Sequence, residues 1–497
     1  MNSVDFNKKL RKARQFMESG NQAEALGAYA KLVKQYPGSG VWGEYGRAAA
    51  IAGDFDLAER IWERIRSDGP VSADLISRLA WEYQSIRLHV KARALYAEAA
   101  NLEPRNLDAQ ISLAALLARS GGVTEARVAV NKCLELDARS EQGCYLSAQL
   151  DRRENKLADA EKQFRELIAS GLRQPYINYS CHYELAQILD RTGRFDEAMA
   201  KLAEAKKLAR KTVNVEAELK MFDSWHGSVV QKARALPKNI LEMWGKSFPP
   251  GARSAAPPLA FLGGPERSGT TLLEKILDAH PAVAAGDECM AISKILSPID
   301  ASASVIPSQR LNVLRQRYLK ILTRAVDSPG EGKLLLDKNP PQTVWLPAIL
   351  RAFPEVRVLI ALRDPRDVIL SLYFQNHTHS NYLTFEQLAR HYRSVMDVWL
   401  AVREWEGLAW METRYEDIVA DMQKEGGRVT KFLGLEWHEN QARYYDRNRE
   451  KTVMSNNYSD VTQPVYTRSV GRWRAYEKQL APILPALEPY CGKFGYE

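Results

Sequence analysis

The sequence predicts a multidomain chain in which an all-α array of repeated helix pairs precedes an α/β domain with a parallel sheet. Alanine-centred amphipathic segments recur at a nearly constant interval in the first half. The second half changes to short apolar runs, each followed by a turn and a helical pattern, after the junction SFPPGARSAAPP. We expect a helical array over 1–210, a helical connector and linker over 211–257, and the α/β domain over 258–497.

Composition limits the classes of protein to which this chain can belong. Its 497 residues can form two or three ordinary cores, and its net charge of +8 suits an anionic ligand. A nucleic-acid binder would rest on this modest charge alone. The five cysteines are far apart and form no metal-ligand spacing, so we expect reduced thiols and no metal site. No apolar run approaches the roughly 18 residues of a membrane helix, so we expect a cytoplasmic protein.

The repeats are defined by alanines at the centre of each amphipathic segment. Their intervals are 33, 34, 34, 34 and 38 residues, and the alanines are Ala25, Ala58, Ala92, Ala126, Ala160 and Ala198. This period belongs to helix pairs, and the segment over roughly 4–210 resembles a tetratricopeptide-repeat (TPR) solenoid. Such an array can hold a peptide or partner protein, brace a neighbouring domain or form a dimer.

The first apolar run of the second half leads into a candidate anion site. PLAFLGG predicts a strand, PERSGTT a turn, and TLLEKILDAH a helix. Such a loop aims backbone N–H groups and a helix N-terminus at one point, which suits phosphate. Gly264 and Gly269 have P-loop spacing, but Thr270 replaces the phosphate-binding lysine. An ATP-dependent P-loop kinase and a purely structural turn remain the alternatives.

Two further predicted strands also end in cations. KLLLDKNP reaches Lys338, and VRVLIALRDPRDVILSLYF reaches Arg363. Ligands of open parallel sheets lie at the carboxyl edge of the strands, so Arg267, Lys338 and Arg363 can converge on one anion. Taken singly, Lys338 or Arg363 could equally be a surface charge that begins a helix. Asn339 and Asp364 are expected to cap the helices that follow.

Six motifs together resemble one family. They are P-E-R-S-G-T-T-L-L-E-K-I-L-D-A-H-P at 265–281, G-D-E at 286–288, D-K-N-P at 337–340, R-D-P-R-D-V-I-L-S at 363–371, and T-Q-P-V-Y with S-V-G-R-W at 462–473. The combination resembles the sulfotransferases that use 3′-phosphoadenosine 5′-phosphosulfate (PAPS), above all the tyrosylprotein branch and its bacterial relatives with TPR arrays. The resemblance covers roughly 240 residues to the C-terminus.

The resemblance implies transfer of a sulfuryl group from PAPS to a hydroxyl or amine acceptor, with adenosine 3′,5′-bisphosphate (PAP) as the product. Glu288 would be the catalytic base, with Asp287 as its local competitor. Lys338 and Arg267 would stabilise the leaving oxygen, the same electrostatic principle as in phosphoryl transfer. Without the resemblance, Glu288 would be read as an ordinary exposed acid.

The resemblance also implies a set of cofactor-binding residues. The 5′-phosphosulfate would contact the loop, and the 3′-phosphate two residues of the R-D-P-R-D-V-I-L-S motif. Three downstream positions would also contact the cofactor. These residues are, in that order, Arg267, Ser268, Gly269, Thr270 and Thr271; Arg363 and Ser371; and Tyr415, Asn457 and Arg472.

Several departures from the family leave the acceptor open. Met290 and Gln375 stand where the tyrosylprotein enzymes have arginines, and Asn457 and Arg472 replace a serine and a lysine. A TPR scaffold with an inactive sulfotransferase-like domain is therefore a further alternative. Tyrosine, a sugar, a lipid or a small alcohol would all suit a base that faces a sulfuryl donor, and the TPR surface could hold a protein or peptide partner.

Overall fold

The structure is a computed structural model that divides into two units. Residues 1–116 with 293–295 form the first unit, and residues 117–292 with 296–497 form the second. The described residues are 3–19, 21–38, 40–68, 71–86, 88–120, 122–246, 248, 258–289, 291–296, 306–326, 330, 332–377, 379, 382–446 and 465–496. The predicted domain boundaries at 210 and 257 stay predictions.

The first unit consists of antiparallel helix pairs. Ala25, Ala58 and Ala92 are each fully buried, which lets the two helices of a pair approach closely. Trp62 packs edge-on against Tyr83 with ring centroids 5.0 Å apart, so these aromatic side chains belong to the core. The helices are α1 (Ser3–Glu18), α2 (Gln22–Gln35), α3 (Trp42–Ile51), α4 (Phe55–Asp68), α5 (Ala73–Ser85), α6 (His89–Leu102) and α7 (Leu107–Ser120), whose last turn belongs to the second unit.

The second unit begins with the remaining helices of the array. Ala126, Ala160 and Ala198 are again fully buried, so the predicted repeat of helix pairs is confirmed. The segment INYSCHYELAQIL lies in the first helix of the sixth pair, as expected. The helices are α8 (Val123–Leu136), α9 (Glu141–Arg153), α10 (Leu157–Ala169), α11 (Pro175–Arg191), α12 (Phe195–Arg210), α13 (Val215–Ala235) and α14 (Ile240–Gly245).

A five-stranded parallel sheet follows, as the sequence predicts. Its spatial order is β2-β3-β1-β4-β5, with Leu262 opposite Lys338 on one side and Leu359 on the other. The central strands are buried along their whole length, which explains their continuous apolar sequence. The strands are β1 (Leu259–Gly263), β2 (Val283–Asp287), β3 (Leu334–Lys338), β4 (Arg357–Leu362) and β5 (Trp410–Arg414).

Helices connect the strands and complete the domain. The α-helices are α15 (Thr270–Asp278), α16 (Ser308–Ala325), α17 (Leu346–Ala352), α18 (Pro365–Tyr373), α19 (Phe385–Val402), α20 (Tyr415–Ala420), α21 (Met422–Phe432), α22 (Glu439–Ala442), α23 (Glu477–Leu480) and α24 (Leu484–Phe494). Short 3-10 helices span Pro340–Trp345, Arg472–Tyr476 and Ala481–Ile483, and a π-helix spans Ile292–Leu296.

One of the two predicted helix caps is confirmed and the other is wrong. The Asp364 carboxylate accepts a hydrogen bond of 2.9 Å from the Arg366 backbone N–H at the start of α18. Asn339 does not cap the helix that follows it, because its amide donates to the Cys289 carbonyl oxygen at 2.8 Å. The chain after Asn339 therefore turns as a 3-10 helix before α17 begins.

No described helix is long and apolar enough to cross a lipid bilayer. All five cysteines are free thiols, and four of them are buried.

Gly264, in the turn after β1, has no room for a side chain. Its φ is +118°, and an added Cβ would lie 2.2 Å from the Ala361 carbonyl oxygen of β4. We expect Gly264→Ala to lower the free energy of unfolding by about 3 kcal/mol or more. Gly171→Ala is the matched control, since Gly171 has φ +75° with open space around it and should lose only about 1 kcal/mol. Thermal denaturation measures both; equal losses would contradict the close approach.

Candidate active site

The candidate site lies at the carboxyl edge of the parallel sheet, where all five strands end. β1 leads into residues 264–271, which we call the anion loop. β2 ends at Asp287, β3 at Lys338, and β4 one residue before Arg363. β5 ends immediately before Tyr415. Because the strands are parallel, their carboxyl ends share one edge of the sheet, and the predicted cations are brought together there.

The anion loop has a backbone that few residue types adopt. Gly269 has φ +87° and precedes the first residue of α15, and an added Cβ would lie 2.6 Å from the Tyr415 ring. The Ser268 hydroxyl donates to the Pro265 carbonyl oxygen at 2.6 Å. Thr270 and Thr271, both buried, form the first turn of α15, whose leading N–H groups have no partner within the helix. The loop therefore offers an anion backbone donors at a helix N-terminus.

Arg267 joins the anion loop to α18. Its Nε donates to the Ser371 hydroxyl at 3.0 Å, and its carbonyl oxygen accepts from Nη1 of Arg363 at 3.2 Å. These contacts connect residues about 100 positions apart in the sequence. The residues implied for the 5′-phosphosulfate and for the 3′-phosphate thus lie in direct contact.

Arg363 is buried at the start of α18 and retains hydrogen-bonding capacity. Its guanidinium lies 5.0 Å from the centre of the Tyr415 ring and 3.8 Å from the Asp367 carboxylate. Nε of Arg363 has no hydrogen-bond partner among the described residues. Asp367 also accepts from the backbone N–H groups of Gly471 and Trp473 at 2.7 and 2.8 Å. This carboxylate fixes the C-terminal segment beside the arginine.

Lys338 is fully buried and lies between two carboxylates. Its Nζ donates to Glu288 at 2.9 Å and forms an ion pair with Asp287. Burial alone would lower the pKa of Lys338, but the charges of Asp287, Glu288 and Glu274 outweigh it and raise that pKa above its ordinary value. Lys338 is therefore an ammonium group at neutral pH, held at the end of β3.

Glu288 has a backbone conformation that is unusual for its residue type. Its φ is +50°, and its N–H donates to the Lys338 carbonyl oxygen at 2.8 Å. Asn155, Arg267 and Glu288 are the non-glycine residues with positive φ in the described part of the chain. Left-handed backbone at two of the three predicted catalytic residues is the kind of strain that occurs at functional sites.

The structure does not unite all the predicted cofactor residues with this edge. The Arg472 guanidinium donates to the Asp190 carboxylate of α11 at 3.0–3.1 Å and stacks 4.2 Å from the Phe374 ring. Asn457 and Met290 lie outside the described residues. Gln375, which replaces a family arginine, donates from its amide to the Ser371 carbonyl oxygen at 3.5 Å.

Sequence reasoning missed a polar cluster that supports the anion loop. The Glu266 carboxylate accepts from the Tyr382 hydroxyl at 2.7 Å and lies 3.0 Å from Nε2 of His391. Burial alone would raise the pKa of Glu266, but His391 and Tyr382 outweigh it and lower that pKa to about 2. The position of Glu266 inside the loop motif was the available signal, whereas nothing in the sequence marks Tyr382 or His391 as its partners.

Comparison with known proteins finds a family match in each part of the chain. Residues 258–439 match the sulfotransferase family, and residues 10–70 and 145–211 match the tetratricopeptide repeat. Along the sequence, a TPR array is followed by a sulfotransferase domain.

Relatives resemble different parts of the chain. An uncharacterized protein of Aquifex aeolicus is 24% identical over 459 residues, or 87% of this chain, which spans 57% of that protein's length. Protein-tyrosine sulfotransferase 2 of Gallus gallus is 24% identical over 258 residues, covering 48% of this chain and 70% of the relative. The sulfotransferase domain of the Synechococcus PCC 7002 olefin synthase is 21% identical, covering 44% of this chain and 87% of that domain, with a TM-score of 0.33.

The ion pairs of Lys338 predict a stability effect in the sulfotransferase domain. Lys338→Met leaves two carboxylates without their shared cation and should lower the free energy of unfolding by about 3–5 kcal/mol. Adding Asp287→Asn to this variant should restore part of the loss, because it removes one uncompensated charge. Thermal denaturation of the wild type, the single variant and the double variant measures this. A double variant no more stable than Lys338→Met would contradict the electrostatic account.

Proposed function

We propose that this chain transfers a sulfuryl group from PAPS to a hydroxyl or amine acceptor. The observation that carries the proposal is the direct contact of Arg267 with Ser371 and Arg363. A nucleotide with phosphates at both its 5′ and 3′ positions would meet the anion loop at one end and the Arg363–Ser371 pair at the other.

The residues present fit such a donor. Nε of Arg363 is a buried donor without a partner among the described residues, and Ser371, whose hydroxyl contacts Arg267, is buried as well. A phosphate accepts hydrogen bonds from both group types, and burial strengthens such charge-assisted bonds. Thr270 in place of a P-loop lysine favours this donor over ATP. PAPS, when bound, supplies an activated sulfuryl group whose transfer leaves negative charge on the 5′-phosphate.

Three side chains would carry the reaction. Glu288 accepts the proton of the acceptor hydroxyl or amine as its new bond to sulfur forms. Lys338 and Arg267 place positive charge beside the oxygen on which negative charge develops when the old sulfur–oxygen bond breaks. Lys338 would also connect the site of proton transfer to the leaving oxygen, because its Nζ contacts the Glu288 carboxylate.

Glu288 is favoured over Asp287 as the base. Asp287 is the last residue of β2, and its charge acts on Glu274 and Lys275, both buried on α15. Glu288 lies one residue beyond the strand, in a left-handed turn that displays its side chain, which is 36% exposed. The Asp287 side chain is 29% exposed, so Glu288 is the more accessible of the two by a small margin.

We also propose that the TPR array binds an acceptor protein or another protein partner. Stacked helix pairs present an extended surface, which is the usual basis of recognition by such arrays. The Gallus gallus relative is named a protein-tyrosine sulfotransferase.

Glu288→Gln should separate chemistry from donor binding. With sulfur-labelled PAPS and a cell extract as the source of acceptors, we expect label transfer to fall by about 10²–10⁴-fold. PAP binding, measured by calorimetry, should change by less than threefold, whereas Arg267→Ala should lose both. Glu436→Gln, an exposed glutamate, is the matched control. Unchanged transfer by Glu288→Gln would refute its assignment as the base.

Selectivity for the 3′-phosphate should depend on Arg363 and Ser371. PAP should bind the wild type at least about tenfold more tightly than adenosine 5′-monophosphate, because a buried charge-assisted contact contributes about 1.5–3 kcal/mol. Arg363→Met with Ser371→Ala should remove most of this preference.

Thermal stabilisation by Mg-ATP but not by PAP would contradict the proposal and support the kinase alternative. PAP binding without transfer to any acceptor would support an inactive scaffold.

A further inference from the structure

A buried lysine of the TPR array reaches into the sulfotransferase domain. Lys206, on α12, is 4% exposed. Its Nζ donates to the carbonyl oxygen of Tyr382 at 2.7 Å and lies 3.5 Å from that of Gln375. Burial lowers the pKa of Lys206 to about 7. The next residue, Lys207, is exposed on the same helix.

Two aromatic rings, one from the array and one from the sulfotransferase domain, also surround Lys206. The ring of Tyr183, on α11, lies 5.0 Å from Nζ, and the ring of Tyr373, at the end of α18, lies 4.9 Å from it. Two carbonyl oxygens and two ring faces are groups that stabilise an ammonium ion away from water. The array thus holds the Lys206 amino group against backbone that follows α18.

Further hydrogen bonds join the same two regions. The Asn376 amide donates to the Ser180 hydroxyl of α11 at 2.7 Å, and the Tyr183 hydroxyl donates to the His377 carbonyl oxygen at 3.5 Å. Four polar contacts therefore fasten α11 and α12 to residues 375–377 and to Tyr382. One of the four, the hydrogen bond from Lys206, is made to Tyr382 itself.

Tyr382 connects this interface to the anion loop. Its hydroxyl donates to Glu266, which is adjacent to Arg267 in the chain. Arg267 has the left-handed backbone and the Ser371 contact on which the proposed donor site depends. A shift of Tyr382 would release one of the two groups that hold Glu266, the other being His391.

We infer that Lys206 is a positioning residue for the anion loop, acting through the Tyr382 carbonyl oxygen and the Tyr382–Glu266 hydrogen bond. The inference rests on the proposed function, because the loop's role is to bind the donor nucleotide. The last helix pair of the array then helps to position the donor site, and it also supports the repeats before it. Lys206 touches neither donor nor acceptor, so its effect reaches the reaction only through loop geometry.

A double-mutant cycle in the full chain tests this inference. Lys206→Met keeps the volume and removes the donors. Tyr382→Phe removes the hydroxyl, and with it the hydrogen bond to Glu266 and the 3.4 Å contact with Nε2 of His391. Lys207→Met is the matched control. The dissociation constant of PAP is measured by calorimetry, and folding by the melting temperature. We expect Lys206→Met and Tyr382→Phe each to weaken PAP binding about tenfold. In the Tyr382→Phe background, Lys206→Met should weaken it by less than a further twofold while still lowering the melting temperature.

The outcomes separate this inference from the proposed function. If the wild type does not bind PAP, the proposed function fails, and the inference fails with it. If the wild type binds PAP and Lys206→Met binds it equally well, only the inference is overturned. Equal weakening by Lys206→Met in both backgrounds would also overturn it, because the effect would not pass through the Tyr382 hydroxyl. Should Lys206→Met not fold, unchanged PAP affinity of Tyr382→Phe alone would overturn the inference.

Discussion

The proximity of like charges at one edge of the sheet is the constraint on which this site depends. Arg267, Lys338 and Arg363 would repel one another if nothing balanced them, and two of the three are buried. The fold supplies the balance locally: Asp287 and Glu288 beside Lys338, and Asp367 beside Arg363. A bound anion would neutralise more of this positive charge. The burial of cations, which is unfavourable in the free protein, therefore favours the binding of a multiply charged anion.

Backbone strain is the second condition for the proposed chemistry. Arg267 and Glu288 hold left-handed φ values that cost on the order of 1–3 kcal/mol each for such residues. The strands that precede them are buried and paired on both sides or packed under helices, so the sheet can sustain the cost. The strained turns in return hold one cation after β1 and one carboxylate after β2, the two strands that flank β3.

The sequence allowed much of the fold to be predicted because its signals are local. Alanines every 34 residues mark the helix pairs, and the loop and strand-end motifs lie within short stretches. Long-range polar contacts gave no such signal: Glu266 meets Tyr382 and His391, more than 100 residues away. The predicted cap at Asn339 is wrong because the Asn339 side chain hydrogen-bonds to the Cys289 carbonyl oxygen, a partner distant in the sequence, and not to the helix that follows. Lys206 lay four residues after buried Leu202, on the apolar face of its helix, and that spacing was the available clue.

The last helix pair of the array contacts the residues that follow α18, which lead to the anion loop through Tyr382. A structure of the full chain with bound PAP tests this most directly. The account predicts that the 5′-phosphate contacts the N–H groups of the anion loop and Arg267, and that the 3′-phosphate contacts Arg363 and Ser371. A nucleotide bound elsewhere, or one whose 3′-phosphate lies away from Arg363 and Ser371, would contradict it.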